Sequence, residues 1–269
     1  MKTTTIEKIA NVIQSVAPVR LYIYLKELYV LNRYLKKIMR GSAALNVKKY
    51  KGYKPSGGMG DKLQVYIDYI KDGTSLEVKN VFELGANFAQ DADYLMEQFG
   101  LDAKNIYVFE AHPEVCELIK KVHKFNVFNY AVYSENKTIK FNVFPLNHVD
   151  TGWSSMHGQG GEEIEVKAIR MDDFMEENNI EKIDFLKIDV EGLTYSVLQG
   201  FGLRLKDVNC IQLEAEHGNW AIIPYEEVSK LLLDNGFDLI HFKRVNHKGE
   251  LGQSDSFWVR KEYVDKKGK

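Results

Sequence analysis

Val81-Phe-Glu-Leu-Gly-Ala-Asn-Phe-Ala89 is the stretch that decides the fold of this 269-residue chain. Its apolar residues predict a short strand that is buried on both faces. Gly85 then permits a tight turn or the close approach of a ligand. Beyond the turn, apolar residues recur at helical spacing, at Ala92, Leu95, Met96 and Phe99. A strand, a glycine turn and a helix start form the unit with which open α/β sheets bind nucleotide-like ligands.

The glycine spacing narrows the class of ligand. Dinucleotide-binding turns carry G-x-G-x-x-G, whose bare backbone lies against a pyrophosphate. Here Asn87 and Gln90 occupy the second and third glycine positions. This argues against a pyrophosphate and favours a nucleoside ligand without one, of which S-adenosylmethionine is the commonest. A purely structural turn is the alternative.

The rest of the chain alternates between strand and helix patterns. Parallel strands are expected at 106–109, 126–132, 183–188 and 208–214, and helices begin near Asp61, Pro113, Met171, Gly192 and Pro224. Alternating residues at 138–144 and 163–169 predict an antiparallel pair, and strands at 237–242 and 256–260 close the pattern. The pattern therefore predicts a doubly wound α/β sheet.

Glu110 ends the second predicted strand, about twenty-five residues after the glycine turn. A carboxylate at this place in a nucleotide-binding sheet accepts hydrogen bonds from the ribose hydroxyls. A solvated charge at a strand end is the alternative interpretation.

Composition and charge describe a globular chain with a basic arm. Twelve Lys and Arg residues lie between Lys2 and Lys54, against only Glu7 and Glu27. The helix predicted at 19–39 is expected to pack on the main domain, form a dimer or lie on a membrane surface. Two cysteines, Cys116 and Cys210, provide no disulfide framework and indicate a reducing cytoplasm. We expect a cytoplasmic protein with an optional peripheral contact at the inner face of the membrane.

These patterns divide the chain into four segments. We expect a basic helical extension at 1–54, a glycine-containing linker and lid helix at 55–77, the α/β domain at 78–262 and a basic tail at 263–269. The linker ends in Pro55-Ser-Gly-Gly-Met-Gly60, directly before the predicted helix.

Several motifs in order resemble the FkbM-type S-adenosylmethionine-dependent methyltransferases. They are 81–87, Val108-Phe-Glu-Ala-His-Pro113, Asn129-Tyr-Ala-Val132, Ser154-Ser-Met156, Met171-Asp-Asp-Phe174 and Asp184-Phe-Leu-Lys-Ile-Asp-Val-Glu-Gly192. The resemblance implies a Rossmann-like class I methyltransferase, with a mostly parallel doubly wound sheet, an antiparallel edge and an N-terminal helical extension. The chain departs from the family pattern at Ala89, where a glycine is common, and at Ala111 and His112, where Pro-Asn is common.

The resemblance also implies roles for individual residues. The methionine end of the cofactor would lie against Glu83, Gly85 and Asn87, and its ribose against Glu110. The adenine would lie against the segment Tyr130 to Ala131. Ala86, Ala111 and Asp189 are also expected to bind the cofactor. Family members are mostly O-methyltransferases, so the expected acceptor is a hydroxyl of a sugar, glycan precursor or related small metabolite, and no nucleic acid is expected. A nicotinamide-dependent oxidoreductase and a catalytically inactive nucleoside-binding module are the alternatives.

Methyl transfer to an alcohol needs a base, or a cation that acidifies the hydroxyl. The candidates follow two predicted strands: Asp189, Glu191, Glu214, Glu216 and His217. We expect a metal-free site with His217 or one of the carboxylates Asp189, Glu191 and Glu216 as the base. Alternatively, Asp189, Glu214 and Glu216 hold a divalent cation. The loop that contains His148 and His157 offers further candidates.

Overall fold

The computed structural model describes residues 60–144, 161–217, 221–247 and 250–264. The predicted helices of the basic extension, most of the 55–60 linker, the 148–157 loop and the end of the tail lie outside the described residues. Among the helices that the structure describes, none combines the length and apolar character needed to cross a membrane.

The main sheet of the described residues consists of seven strands, β1 Val81–Leu84, β2 Ile106–Phe109, β3 Asn126–Phe128, β7 Ile183–Ile188, β8 Val208–Glu216, β9 Phe237–His247 and β10 Glu250–Arg260. Their spatial order is β3-β2-β1-β7-β8-β10-β9. The first five run parallel, and β10 pairs antiparallel with both β8 and β9. This confirms the predicted Rossmann-like sheet with an antiparallel edge.

A second sheet of three strands lies in the order β4-β6-β5. Its strands are β4 Ala131–Val132, β5 Lys137–Val143 and β6 Glu162–Ile169, and β5 and β6 pair antiparallel as predicted. The single strand predicted at 126–132 was wrong, because β3 pairs with β2 whereas β4 pairs with β6. Between them, the Asn129 side chain binds the backbone carbonyls of Glu110 and Ala111, which holds the chain at the point where it changes sheets.

The described part of the chain contains six α-helices, one before β1 and five between later strands. They are α1 Gly60–Gly73, α2 Gln90–Phe99, α3 Pro113–Val122, α4 Met171–Glu177, α5 Thr194–Gln199 and α6 Tyr225–Asp234. The predicted strand-turn-helix unit is confirmed, although its helix begins at Gln90 and the preceding turn is longer than expected. Proline at the first position of α3 suits a helix start, since its missing N–H has no partner there anyway.

Helix α1 packs into the core of the domain. Leu63, Tyr66, Ile67 and Ile70 are each no more than 2% exposed. The Tyr66 ring stacks on Phe257 of β10, with the ring centroids 4.7 Å apart. The structure thus shows that the apolar face of α1 packs on the sheet. The predicted role of α1 as a lid stays a prediction, as does the predicted domain start at residue 78.

Strand β7 lies at the centre of the main sheet, and all six of its residues are buried. Such complete burial is expected for a parallel strand that is covered on both faces. Leu186 and Ile188 belong to the large apolar cluster, together with Leu84 of β1 and Leu213 of β8. The alternate face carries Lys187, whose charge needs partners at this depth.

Candidate cofactor-binding and active site

A cleft opens where β1, β2 and β7 end at the same edge of the sheet. The strand register aligns Leu84 with Phe109 and Ile188, so the next residues, Gly85, Glu110 and Asp189, emerge together. The cleft encloses about 730 Å³, including the space open to solvent at its mouth.

Most of the predicted site residues line this cleft. They are Gly85, Asn87, Glu110, Ala111, Tyr130, Ala131, Asp189 and Glu191. The structure adds six lining residues that the sequence reasoning did not assign, namely His112, Val115, Val132, Phe141, Val190 and Leu193. Glu83, Ala86, Glu214, Glu216 and His217 are not among the lining residues.

The turn after β1 is held by backbone contacts. The N–H groups of Gly85 and Ala86 both donate to the carbonyl of Phe109, at 3.0 and 3.2 Å. Gly85 has a φ of +77°, and a Cβ built on it would lie 1.9 Å from the Asp189 carbonyl oxygen. Glycine is therefore required here by the passing backbone of the β7 end, independently of any ligand.

Two further residues of the turn are left-handed. Asn87 has a φ of +49° and Ala89 a φ of +53°. Asparagine visits this region readily, whereas alanine adopts it at a cost of about 1 to 2 kcal/mol. The left-handed backbone at position 89 explains why a glycine is common there in the pattern that the chain resembles.

Glu110 joins the two loops that border the cleft. Its Oε2 accepts the backbone N–H of Asn87 and its Oε1 that of His112, both at 2.7 Å. Burial raises the pKa of Glu110 to about 7, although these N–H groups favour the charged form and lower it. The result is a buried carboxylate that is fixed in position and still lines the cleft.

The backbone after β2 is fixed by Asn129. Its Nδ2 donates to the carbonyls of Glu110 and Ala111, at 2.8 and 3.0 Å. The next residue, Tyr130, lines the cleft, and the Lys167 ammonium lies 5.0 Å from its ring centroid. One amide side chain thus ties the ends of β2 and β3 together where the cleft begins.

An ion network lies beneath the cleft. Lys187 Nζ is 3.0 Å from Asp189 Oδ2, 3.2 Å from Asp91 Oδ2 and 3.4 Å from Glu83 Oε1. Burial alone would lower the pKa of Lys187, but these carboxylates outweigh it and raise that pKa. Glu83 also accepts the N–H of Ala92 in α2, and burial raises its pKa to about 8. Glu83 therefore fixes α2 and Lys187, and it lies behind the residues that line the cleft.

Three carboxylates gather at the end of the cleft nearest β8. Oxygens of Asp189, Glu191 and Glu214 lie within 4.8 Å of one another. Burial raises the pKa of Glu214 to about 8, and the charges of Asp189, Asp255 and Glu191 add to this effect. This cluster differs from the predicted metal-binding residues in one member, because it contains Glu191 in place of Glu216. Chemically, it can accept a proton from an alcohol or supply oxygen ligands to a hard divalent cation.

Glu216 and His217 make other contacts. Glu216 accepts the backbone N–H of Gly192, and burial raises its pKa. His217 Nε2 lies 2.7 Å from Ser254 Oγ, and its ring lies beside Tyr225 with centroids 5.2 Å apart. Burial and then the charge of Arg244 lower the pKa of His217, although Glu226 opposes them. The structure thus places this histidine among β8, β10 and α6.

A sequence model of the FkbM methyltransferase domain matches residues 83–239, which are more than half of the chain. The chain belongs to this family. Membership of the FkbM methyltransferase family sets aside the oxidoreductase alternative. The FkbM match runs from Glu83 in β1 to Leu239 in β9 and so contains every residue that lines the cleft.

Solved structures that are similar to the chain include methyltransferases of several kinds. The methyltransferase FkbM of Methylobacillus flagellatus KT is 11% identical over 67% of this chain and 44% of that protein, with a TM-score of 0.45. The present chain thus covers less than half of that protein's length. Magnesium protoporphyrin IX methyltransferase from Synechocystis PCC 6803 is also 11% identical, over 74% of this chain and 77% of that one, with a TM-score of 0.44. A putative tRNA (m1A22) methyltransferase of Streptococcus pneumoniae shows 11% identity, coverage of 74% and 72%, and a TM-score of 0.42. A search of curated proteins found no significant match.

Proposed function

We propose that this FkbM chain transfers a methyl group from S-adenosylmethionine to a hydroxyl of a sugar, a glycan precursor or a related small metabolite. The observation that carries the proposal is the cleft itself, which has a fixed buried carboxylate at Glu110 and a carboxylate cluster that includes Asp189 and Glu191. The first suits a ribose, and the second suits an acceptor hydroxyl.

The residues present fit an adenosyl cofactor. The Glu110 carboxylate accepts backbone N–H groups from Asn87, His112 and Ala111, and where it lines the cleft its remaining accepting capacity suits the ribose hydroxyls. Ala111, Tyr130 and Ala131 form a largely apolar wall that suits adenine. Gly85, Ala86, Asn87 and Asp189 would hold the methionine end. Glu83 would act on this end indirectly, through Lys187 and the position of Asp189.

The bound cofactor would supply a methyl group activated by its sulfonium. The chain's own task is then to orient the acceptor and to remove its proton. Asp189 and Glu191 line the cleft and Glu214 adjoins them, so we propose a carboxylate base without a metal. Burial raises the pKa of Glu214 to about 8, so this group is mostly protonated at neutral pH, and the base is one of the cleft-lining carboxylates Asp189 and Glu191.

Cofactor binding is tested by calorimetry with S-adenosylhomocysteine, the product form. Wild type should bind it, and Glu110→Ala should weaken binding by about 1 to 3 kcal/mol because two charge-assisted hydrogen bonds are lost. The matched control is Glu181→Ala, which removes an exposed carboxylate that does not line the cleft and should leave binding normal. No binding by wild type would refute the cofactor proposal, whereas unchanged affinity of Glu110→Ala would refute only the ribose assignment.

The acceptor is tested by transfer of a labelled methyl group to panels of sugar nucleotides, oligosaccharides and total RNA. Label should enter the carbohydrate fractions and be stable to esterase, as expected for an ether. Label in RNA would refute the acceptor class, and no turnover on any acceptor would favour the inactive nucleoside-binding module.

The base is tested with one chelator and two variants. On our proposal, activity survives the chelator, and Glu191→Gln slows turnover by about a hundredfold to ten-thousandfold. A loss of that size in His217→Ala instead would favour the histidine base. Loss on chelation, restored by Mg²⁺ or Mn²⁺, would favour a cation held by Asp189, Glu214 and either Glu191 or Glu216.

We also retain the proposal that residues 1–54 mediate dimerisation or contact an anionic membrane from the cytoplasmic side. The charge of this segment supports the proposal, since it has twelve basic and only two acidic residues between Lys2 and Lys54. Sedimentation of the full chain with anionic and neutral vesicles, together with its mass in solution, separates the two roles.

A further inference from the structure

A short apolar segment between β8 and α6 is exposed to solvent. Ile222 is 48% exposed and Ile223 is 37% exposed, and Pro224, which follows them, is exposed as well. Single exposed apolar residues are ordinary, whereas a continuous exposed apolar surface indicates a binding site. Ile222 and Ile223 are the one consecutive pair among the large apolar side chains that are exposed in the described part of the chain, namely Val65, Leu203, Ile222, Ile223, Leu233 and Leu239.

This segment reaches the turn after β7, at the carboxylate end of the cleft. A Cβ built on Gly192 would lie 3.3 Å from Ile222 Cδ1 and 4.0 Å from Glu216 Oε2. Gly192 lies between Glu191 and Leu193 in the chain, and both of these residues line the cleft. The Ile222 side chain therefore packs on the backbone of a residue that separates two lining residues.

The start of α6 gives a structural reason for Ile223, but not for the exposure of Ile222. Ile223 precedes Pro224, the N-cap of α6, and an apolar residue at this position often packs against the first turns of a helix. Ile222 lies one residue further from the helix. Its packing on Gly192 still leaves 48% of the side chain open to solvent. A ligand in the cleft can cover this apolar surface and remove it from water.

Two kinds of side chain thus meet at this end of the cleft. Asp189 and Glu191 supply carboxylate oxygens, which are proposed to receive the acceptor hydroxyl. Ile222 supplies only aliphatic carbon, and Val190, another apolar residue, lines the cleft between the two carboxylates in the chain. A ligand that contacts both kinds of surface carries a hydroxyl and an apolar group close together.

We infer that Ile222 forms an apolar subsite for the acceptor, which therefore carries an alkyl or aryl group beside the unit whose hydroxyl is methylated. The inference rests on the proposed methyl transfer to a hydroxyl and narrows its substrate class. A sugar with an apolar substituent should bind better than an unsubstituted sugar. Each methylene that leaves water should raise the affinity by about twofold to fourfold, depending on how fully it is buried.

The first test compares kcat/KM for transfer of a labelled methyl group to methyl and butyl glycosides of common hexoses. Wild type should prefer the butyl glycosides by about 10- to 60-fold, because three more methylenes are buried. Ile222→Ser should reduce this ratio to about threefold or less. The ratio is taken within each protein, so a general loss of activity in the variant cancels. The matched control is Leu203→Ser, which removes an 88% exposed leucine that does not line the cleft and should keep the wild-type ratio.

A second test requires no turnover. Isoleucine δ1 methyl groups are labelled with ¹³C in the complex with S-adenosylhomocysteine, and the Ile222 resonance is identified by its loss in Ile222→Ser. Hexyl glucoside should shift this resonance, whereas methyl glucoside at the same concentration should leave it in place. The mass in solution of wild type and Ile222→Ser is measured alongside.

The outcomes separate the inference from the proposed function. Equal kcat/KM for the two kinds of glycoside in wild type, or a full preference in Ile222→Ser, would overturn only the apolar subsite. If no glycoside is methylated but hexyl glucoside shifts the Ile222 resonance, the subsite is supported and the carbohydrate acceptor fails. If there is neither turnover nor a shift, both fail. A dimer mass that falls to the monomer mass in Ile222→Ser would mean that a second copy covers Ile222, which also overturns the inference.

Discussion

Replacement of Lys187 by methionine should destabilise the domain strongly, and more so at high pH. The side chain is 2% exposed, and its Nζ lies within 3.4 Å of oxygens of Asp189, Asp91 and Glu83. Removing one partner of a buried ion pair costs about 3 to 5 kcal/mol, because an uncompensated charge stays behind. For a domain of this size, that loss lowers Tm by roughly 6 to 20 °C.

The pH dependence follows from Glu83. Burial already raises its pKa to about 8 while Lys187 opposes the rise, so loss of Lys187 should raise that pKa further. A carboxyl whose pKa is higher in the folded state contributes stability that is fully present below its unfolded pKa of about 4.3 and is lost as pH rises toward the folded pKa. Below about pH 8 Glu83 is protonated in both folded proteins, so the free energy lost in Lys187→Met should be nearly constant there and should grow above about pH 8, where Glu83 ionises in wild type only.

Urea unfolding, followed by circular dichroism at about pH 7 and about pH 9.5, measures the free energy of unfolding and its pH dependence. The matched control is Lys182→Met, which replaces an exposed lysine directly before β7 and should unfold like wild type. Glu83→Gln combined with Lys187→Met removes the buried charge on both sides and should recover part of the loss. A loss below about 1 kcal/mol at about pH 9.5, or an equal loss at both pH values, would refute the role of Lys187 as the required buried counter-ion.

Three further results are expected. Gly85→Val should destabilise the fold itself, seen as a lower Tm without ligand, because a Cβ would lie 1.9 Å from the Asp189 carbonyl; a normal Tm with lost binding would restore a purely ligand-based reason for this glycine. In denaturant titrations, Ala89→Gly should change the free energy of unfolding by less than about 1 kcal/mol. Ala89→Val should lower the free energy of unfolding by at least about 2 kcal/mol, because a β-branched residue does not tolerate the φ of +53°. Wild-type affinity for S-adenosylhomocysteine should rise from pH 6 to pH 8 as Glu110, with a pKa of about 7, ionises, and calorimetry of Glu110→Gln should show no such rise.

Local pattern was enough for much of the fold. The strand at 81–84 follows from a short apolar run and the helix after it from a period of 3.6 residues, and Glu110 was assigned to the ribose because it ends the second strand. These features depend on neighbours a few residues apart. Local pattern gave a wrong prediction at 126–132, where the single predicted strand is divided between two sheets. The point of division depends on the strands with which each part pairs, and these are distant in the sequence.

Contacts between distant elements were decided by the tertiary structure. Phe144 holds the ring of His112 from 32 residues away, and no period in the sequence connects them. The carboxylate cluster shows the physical reason most directly. Glu214 and Glu216 point to the same face of β8 about 6.8 Å apart, so both need not reach Asp189. The left-handed pair Glu191 and Gly192, with φ values of +44° and +89°, turns the chain after β7. Glu191 thereby joins Asp189 and Glu214, although the sequence had assigned that place in the metal set to Glu216.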